Sequence, residues 1–306
     1  MIARTVGTLL FAALAAAQAT PSTAHSLQHG LAPGASYGWA LSTEAFLEQA
    51  STAGTETSHV RIVLHFALQI QAGKDGEFDA AHRVVRVEAK ADTKLAKVEY
   101  DSAQNGSDPG AMKPLATLVG KSFVVTLDGK GRIQHVHPPQ ELAAGAQEQL
   151  GVSDFDTLFS PWFLPLPDGP VAVGASWDAN VKFLDPGFGG DGNCKLVQKL
   201  ARIDGDVAHI ERTLEVPKPQ RKGMQLQVEM ASGSAQFDRS TGRLVQSLLE
   251  MKSKTTQPIG GGRTITTSSR VVVRADAEAL APTTPAATAV PAPAEKAAAP
   301  AGSPRR

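Results

Sequence analysis

The chain reads as a mainly β protein of α+β type. Two similar antiparallel halves are expected to form a curved sheet or open barrel, with a helical segment between them. Three observations predict this. Apolar and polar residues alternate through most of the chain, as in "SHVRIVLHFALQI" (58–70), and a period of two is the mark of strands with one buried face. Two landmarks occur twice: Gly-Ala-Ser-aromatic at 34–37 and 174–177, and Asp-turn-Gly-Arg at 128–132 and 238–243. A single stretch, 138–159, abandons alternation for helical spacing.

Residues 1–25 have a basic start at Arg4, an apolar run from Val6 to Ala17 and a small-residue site at Ala17-Gln18-Ala19. This is the pattern of a signal peptide, and it places the protein in the periplasm or outside the cell. No Cys follows the apolar run, so no lipid is expected to be attached there. The first β half covers 26–137. "HRVVRVEAKA" and "AKVEYDS" continue its alternation, and "VVTLDGKGRIQHV" (124–136) closes it as a hairpin. Asp128 starts the turn by accepting local backbone hydrogen bonds, and Gly131 supplies positive φ. A helical and apolar connection follows over 138–169, with Pro139 suited to a first turn, Gly151 to a C-cap and Ser153 to the start of a second short helix. The second β half, 170–280, runs through "LVQKLARID", "VAHIERTLEV" and "SAQFDRSTGRLVQSL", the last being the second hairpin with Asp238. About ten to twelve strands are expected in all. Residues 281–306 are Pro- and Ala-rich without aromatics and read as a disordered tail.

Several patterns resemble catalytic or ligand motifs and yield to simpler readings. Gly34-Ala35-Ser36-Tyr37-Gly38 matches a nucleophile elbow, but that elbow needs a strand before it and a helix after it; here a turn into a strand explains both copies. Gly187 to Gly192 spells G-x-G-x-x-G, yet its flanks are antiparallel in style, and the fingerprint needs a βαβ unit. The same loop lacks the final Glu of a calcium loop, having Leu196 there. His135 and His137 share one strand face and would need a third ligand, such as His65 or His82, to hold a metal; with no strong metal signature in the chain, no metal or other cofactor is expected. The lone Cys194 has no cysteine partner within the chain, and nothing in the surroundings of Cys194 and His209 recommends them as a thiol–imidazole pair. Charge is balanced, with 30 basic and 30 acidic residues. No basic field therefore exists for nucleic acid. No apolar run after the signal is long enough to span a membrane as a helix.

The densest aromatic cluster is Phe155, Leu158, Phe159, Trp162 and Phe163, in a chain that is 5% aromatic. Two roles fit it: a plug that fills the inner face of the sheet, or a lid over an apolar cavity. The lid role makes these five residues the candidate ligand-binding site.

The order of "VEYDS" (98–102), "LATLVGKSFVVTLDGKGRIQHV" (115–136), "LPLPDGPVAVGASW" (164–177) and "FDRSTGRL" (237–244) resembles a bacterial family of uncharacterised exported proteins and lipoproteins. The resemblance spans about 36–275 and implies fold and export, but carries over no catalytic residue. At the level of architecture the chain is also similar to the open half-barrels of lipoprotein carriers. The resulting expectation is an exported, non-enzymatic protein that binds a lipid or other hydrophobic small molecule in its curved sheet. The alternative is a structural protein of the cell envelope with a filled core and a protein partner. A hydrolase or metal protein is a remote third.

Overall fold

Strand β3 (Gly54–Ala72) shows why this sequence makes sheet. Leu64, Phe66, Leu68 and Ile70 are buried, while Arg61, Gln69 and Gln71 on the same strand face solvent. Burying the apolar face at about 25 cal/mol per Å² drives each such strand onto its neighbours. The computed structural model describes residues 23–279, apart from 53, 74–76, 95–96, 105, 107, 140–141, 143–154, 161–162, 186–189, 218–222 and 261–262. The signal, the tail, most of the expected first helix and Trp162 lie outside the described residues.

The remaining strands are β1 (Ala24–His25), β2 (Ser36–Ser51), β4 (Phe78–Asp92), β5 (Lys97–Asp101), β6 (Ser122–Leu127), β7 (Ile133–His137), β8 (Val171–Ala172), β9 (Ser176–Asp185), β10 (Gly190–Asp204), β11 (Val207–Glu215), β12 (Gln225–Asp238), β13 (Arg243–Gly260) and β14 (Arg263–Glu278). A short helix α1 (Lys113–Ala116) precedes β6, and α2 (Phe155–Phe159) lies between the halves. Twelve strands form one antiparallel sheet in the order β7-β6-β4-β3-β2-β14-β13-β12-β11-β10-β9, with β5 on β4. β1 and β8 pair separately. The first and last long strands, β2 and β14, join the halves at the centre, from Gly38↔Glu278 to Ala50↔Thr266. The sheet is not closed into a barrel: β7 and β9 end its path, and α2 packs against both.

The duplication is written into the backbone. Gly34 N–H donates to Ile70 O at 2.8 Å and Ile70 N–H to Ala35 O at 2.9 Å; Gly174 N–H donates to Leu200 O at 2.7 Å and Leu200 N–H to Ala175 O at 3.0 Å. Both glycines have positive φ, 85° and 90°. The register slips between Thr126 and Leu127 in one half, and between Gln236 and Phe237 in the other. Each slip falls just before its turn-forming Asp.

The "CKLVQKLARI" stretch, which could also be written as a helix, is strand β10. The strand total exceeds the expected range because β1 and β8 are pairs of residues, too short to show a period. The buried side chains form two cores. The larger spans both halves and includes Phe66, Phe123, Phe159, Leu196 and Met251. The smaller packs Leu27 and, from the connection, Leu164 and Leu166 onto Leu200, Ile210 and Phe237 of the second half.

Candidate functional site

Asp128 and Asp238 are turn formers. Asp128 Oδ1 accepts from the backbone N–H of Lys130 and Arg132, both at 2.9 Å, and Asp238 Oδ1 accepts from Ser240 N–H at 2.8 Å. Burial raises the Asp128 pKa, but hydrogen bonds from Arg132 and Lys130 outweigh it and hold the carboxyl below its usual value. The Ser240 and Thr241 hydroxyls do the same for Asp238. The two turns also clamp the segment 28–31. A Cβ on Gly131 would strike the His29 ring, and one on Gly242 would strike the backbone of Gly30. His29 Nε2 lies 2.9 Å from Leu164 O, and burial lowers its pKa, so the neutral ring donates there. The sequence marked both glycines for their φ; it held no sign of the segment running between them.

Ser36 opens β2 directly after its turn, so the setting of a nucleophile elbow is absent at that serine. The G-x-G-x-x-G stretch joins antiparallel β9 and β10, and its residues 187–189 lie outside the described residues. Cys194 is buried on the inner face beside Leu196, whereas His209 lies on the opposite face of β11 near Asp204 at 3.2 Å. They do not meet. The His135 and His137 rings lie 6.0 Å apart between centres and tilted by 50° on exposed β7. No group of three or more metal-ligating side chains forms among the described residues.

The aromatic cluster divides. Phe155 and Phe159 are buried, at 4% and 0% exposure. Phe159 packs on Phe123 at 5.3 Å and His82 at 5.2 Å between ring centres. This burial fits the plug role, with both rings packed on the inner face of the sheet. Leu158 and Phe163 pack against the same core but remain partly exposed. Asp156 and Ser160 tie α2 to edge strand β9, through Lys182 Nζ at 3.1 Å and Lys182 N–H at 3.1 Å.

The seam of the sheet stays open beside α2. A cleft of about 690 Å³ runs between β7 and β9 beside α2. Its apolar wall includes Ile133, Phe163, Leu166, Trp177 and Val181, and Arg132, Asp156 and Lys182 are among its polar residues. Phe163 is thus the one residue of the expected site that reaches this cleft among those described. Trp177 and Val181 were missed because alternation marks them only as inward-facing; that β9 is an edge is set by pairing far away in sequence. Deeper in, an apolar cavity of about 60 Å³ lies among Leu31, Trp39, Leu68, Leu164 and Ala275.

No family model matches the chain, and no curated protein matches it. The resemblance to exported bacterial proteins therefore rests on the turn motifs alone. Among solved structures, one described as lipid–protein interactions in lipovitellin is similar at a TM-score of 0.48 and 9% identity, over 85% of this chain and 26% of the other. The chain thus spans about a quarter of that protein's length.

Proposed function

We propose that this chain is an exported, non-enzymatic binding protein that takes a hydrophobic or amphipathic small molecule, such as a lipid, at the seam of its open sheet. The single observation behind this reading is the cleft of about 690 Å³ between β7 and β9, where apolar Ile133, Phe163, Leu166, Trp177 and Val181 line the space together with polar and charged side chains. Ligand pockets of soluble proteins fall in this size range and combine apolar walls with a few polar groups. Export is proposed from residues 1–25.

Native mass spectrometry of the protein from its own cell envelope tests the reading, with the denatured mass as reference. A native excess of a few hundred daltons that vanishes on denaturation, with lipid in the organic extract, is the expected result. A bare native mass after incubation with a panel of lipids would sink it. A second reading, a filled structural protein with an envelope partner, is favoured by the burial of Phe155 and Phe159 under the sheet's inner face.

A further inference from the structure

The duplication lets the two halves be compared slot by slot. Across the inner face of the first half, Tyr37, Leu68, His82 and Phe123 lie opposite one another on β2, β3, β4 and β6. The matching row of the second half is Trp177, Gln198, Arg212 and Gly233 on β9, β10, β11 and β12. Tyr37 and Trp177 are the aromatics of the repeated Gly-Ala-Ser motif, so the rows are equivalent. His82 and Arg212 occupy one and the same slot, and both are buried, at 0% and 2% exposure.

The first half fills this slot with a group that is neutral at pH 7, because burial drives the His82 pKa to about 3. The fold itself therefore does not need a charge there. The second half places a guanidinium in it, with Gln198 where the first half has Leu68 and Gly233 where it has Phe123; the Gln198 amide donates to Pro165 O at 2.7 Å. The arginine reaches across β12, where Gly233 carries no side chain, to Ser247 Oγ on β13. That hydroxyl is its one hydrogen-bond partner among the described residues. Its Nε, fully buried, has none, and no carboxylate pairs with the guanidinium among the described residues. Burial lowers its pKa to about 10, which leaves it charged at neutral pH.

A buried cation with one neutral partner is costly, and proteins pair such groups. The surroundings suit an amphiphile. Ser247 lies opposite Ala275, which lines the 60 Å³ apolar cavity. In the other direction, Gln198 lies opposite Trp177 on the wall of the seam cleft. Strands are about 4.8 Å apart, so Arg212 is about 10 Å inside that wall.

We propose that Arg212 and Ser247 form the seat for the anionic head, carboxylate or phosphate, of a single-chain amphiphile. Its apolar chain packs on the smaller core around Leu164 and Leu200. This deepens the seam-binding reading and rests on it.

Titration of the full chain with dodecanoate, dodecyl phosphate, dodecanol and acetate tests the proposal, followed by calorimetry and thermal shift. A charged hydrogen bond in a dry site favours the anionic chains over dodecanol by roughly ten- to a hundredfold. Arg212→Met is expected to abolish that preference. Arg270, over the Phe46 ring at 5.4 Å and outside the linings of both the cavity and the seam cleft, is the control, and Arg270→Gln should leave the preference intact. Equal affinity of the wild type for dodecanoate and dodecanol overturns the proposal and leaves the seam reading standing; this comparison needs no variant to fold. Acetate binding as tightly as dodecanoate overturns the amphiphile and points to a free-anion site. No binding of any chain overturns both readings.

Discussion

At the residue scale, two glycines and one histidine decide more than their size suggests. Gly131 and Gly242 have φ of 77° and 66°, where a Cβ costs about 1–3 kcal/mol. Here the added Cβ also meets segment 28–30. Gly131→Ala is therefore expected to lower stability by about 2–3 kcal/mol in urea unfolding, and an unchanged midpoint would refute the clamp. His82 links pH to folding. Above its ordinary pKa of 6.5 both folded and unfolded chains hold it neutral; below that, the unfolded chain takes up a proton that the folded chain refuses until about pH 3. Stability should thus fall with pH through this window by about 1.4 kcal/mol per unit. His29, also lowered by burial, adds in the same direction. The carboxylates act further down: the Arg86 hydrogen bond brings Asp101 to about 2, so its contribution is intact above 3.8 and is lost as pH approaches 2. His82→Leu should flatten the slope from pH 6.5 to about 4 and leave the lower loss in place. Unfolding curves across pH would show an unchanged slope if His82 were not the group responsible.

At the element scale, α2 acts as a plug five residues long. Its hold comes from Phe155 and Phe159 on Phe123, and from Asp156 and Ser160 on Lys182 of β9. Phe159→Ala should cost about 3–5 kcal/mol and lower Tm by roughly 10 °C. Leu158→Ala, at a partly exposed site, should cost much less. Scanning calorimetry separates the two roles of this segment, since a lid would leave Tm nearly unchanged in both variants. The sequence placed a short helix after Ser153 correctly, because Phe155, Leu158 and Phe159 share a helical face. It could not choose between plug and lid. That choice depends on whether Phe123 and His82, some 30 and 70 residues away, leave room beneath it.

At the scale of the whole molecule, the chain's two ends of regular sheet meet in the middle, β2 against β14, while strands from mid-sequence form the edges. Backbone protection should follow this order. Amides of β2, β3, β13 and β14 should exchange slowest, and those of β7 and β9 fastest. Native-state hydrogen exchange checks it, and equal protection at β7 and β2 would mean that the seam is closed in solution. An open seam is also what the binding reading requires, since the cleft lies between those two edges.

By itself, the sequence determined the class of the protein, its doubling and the places of its turns. These depend on local chemistry: a period of two that sorts faces, Asp and Gly that set turns, and motifs that repeat at matching points. Only the tertiary structure decided which strands are edges, where space remains, and that Arg212 and His82 fill one slot in two different ways. Those facts depend on pairings between residues far apart in the chain. An inward-facing residue reads the same in sequence whether it meets a neighbour's side chain, a ligand or a gap.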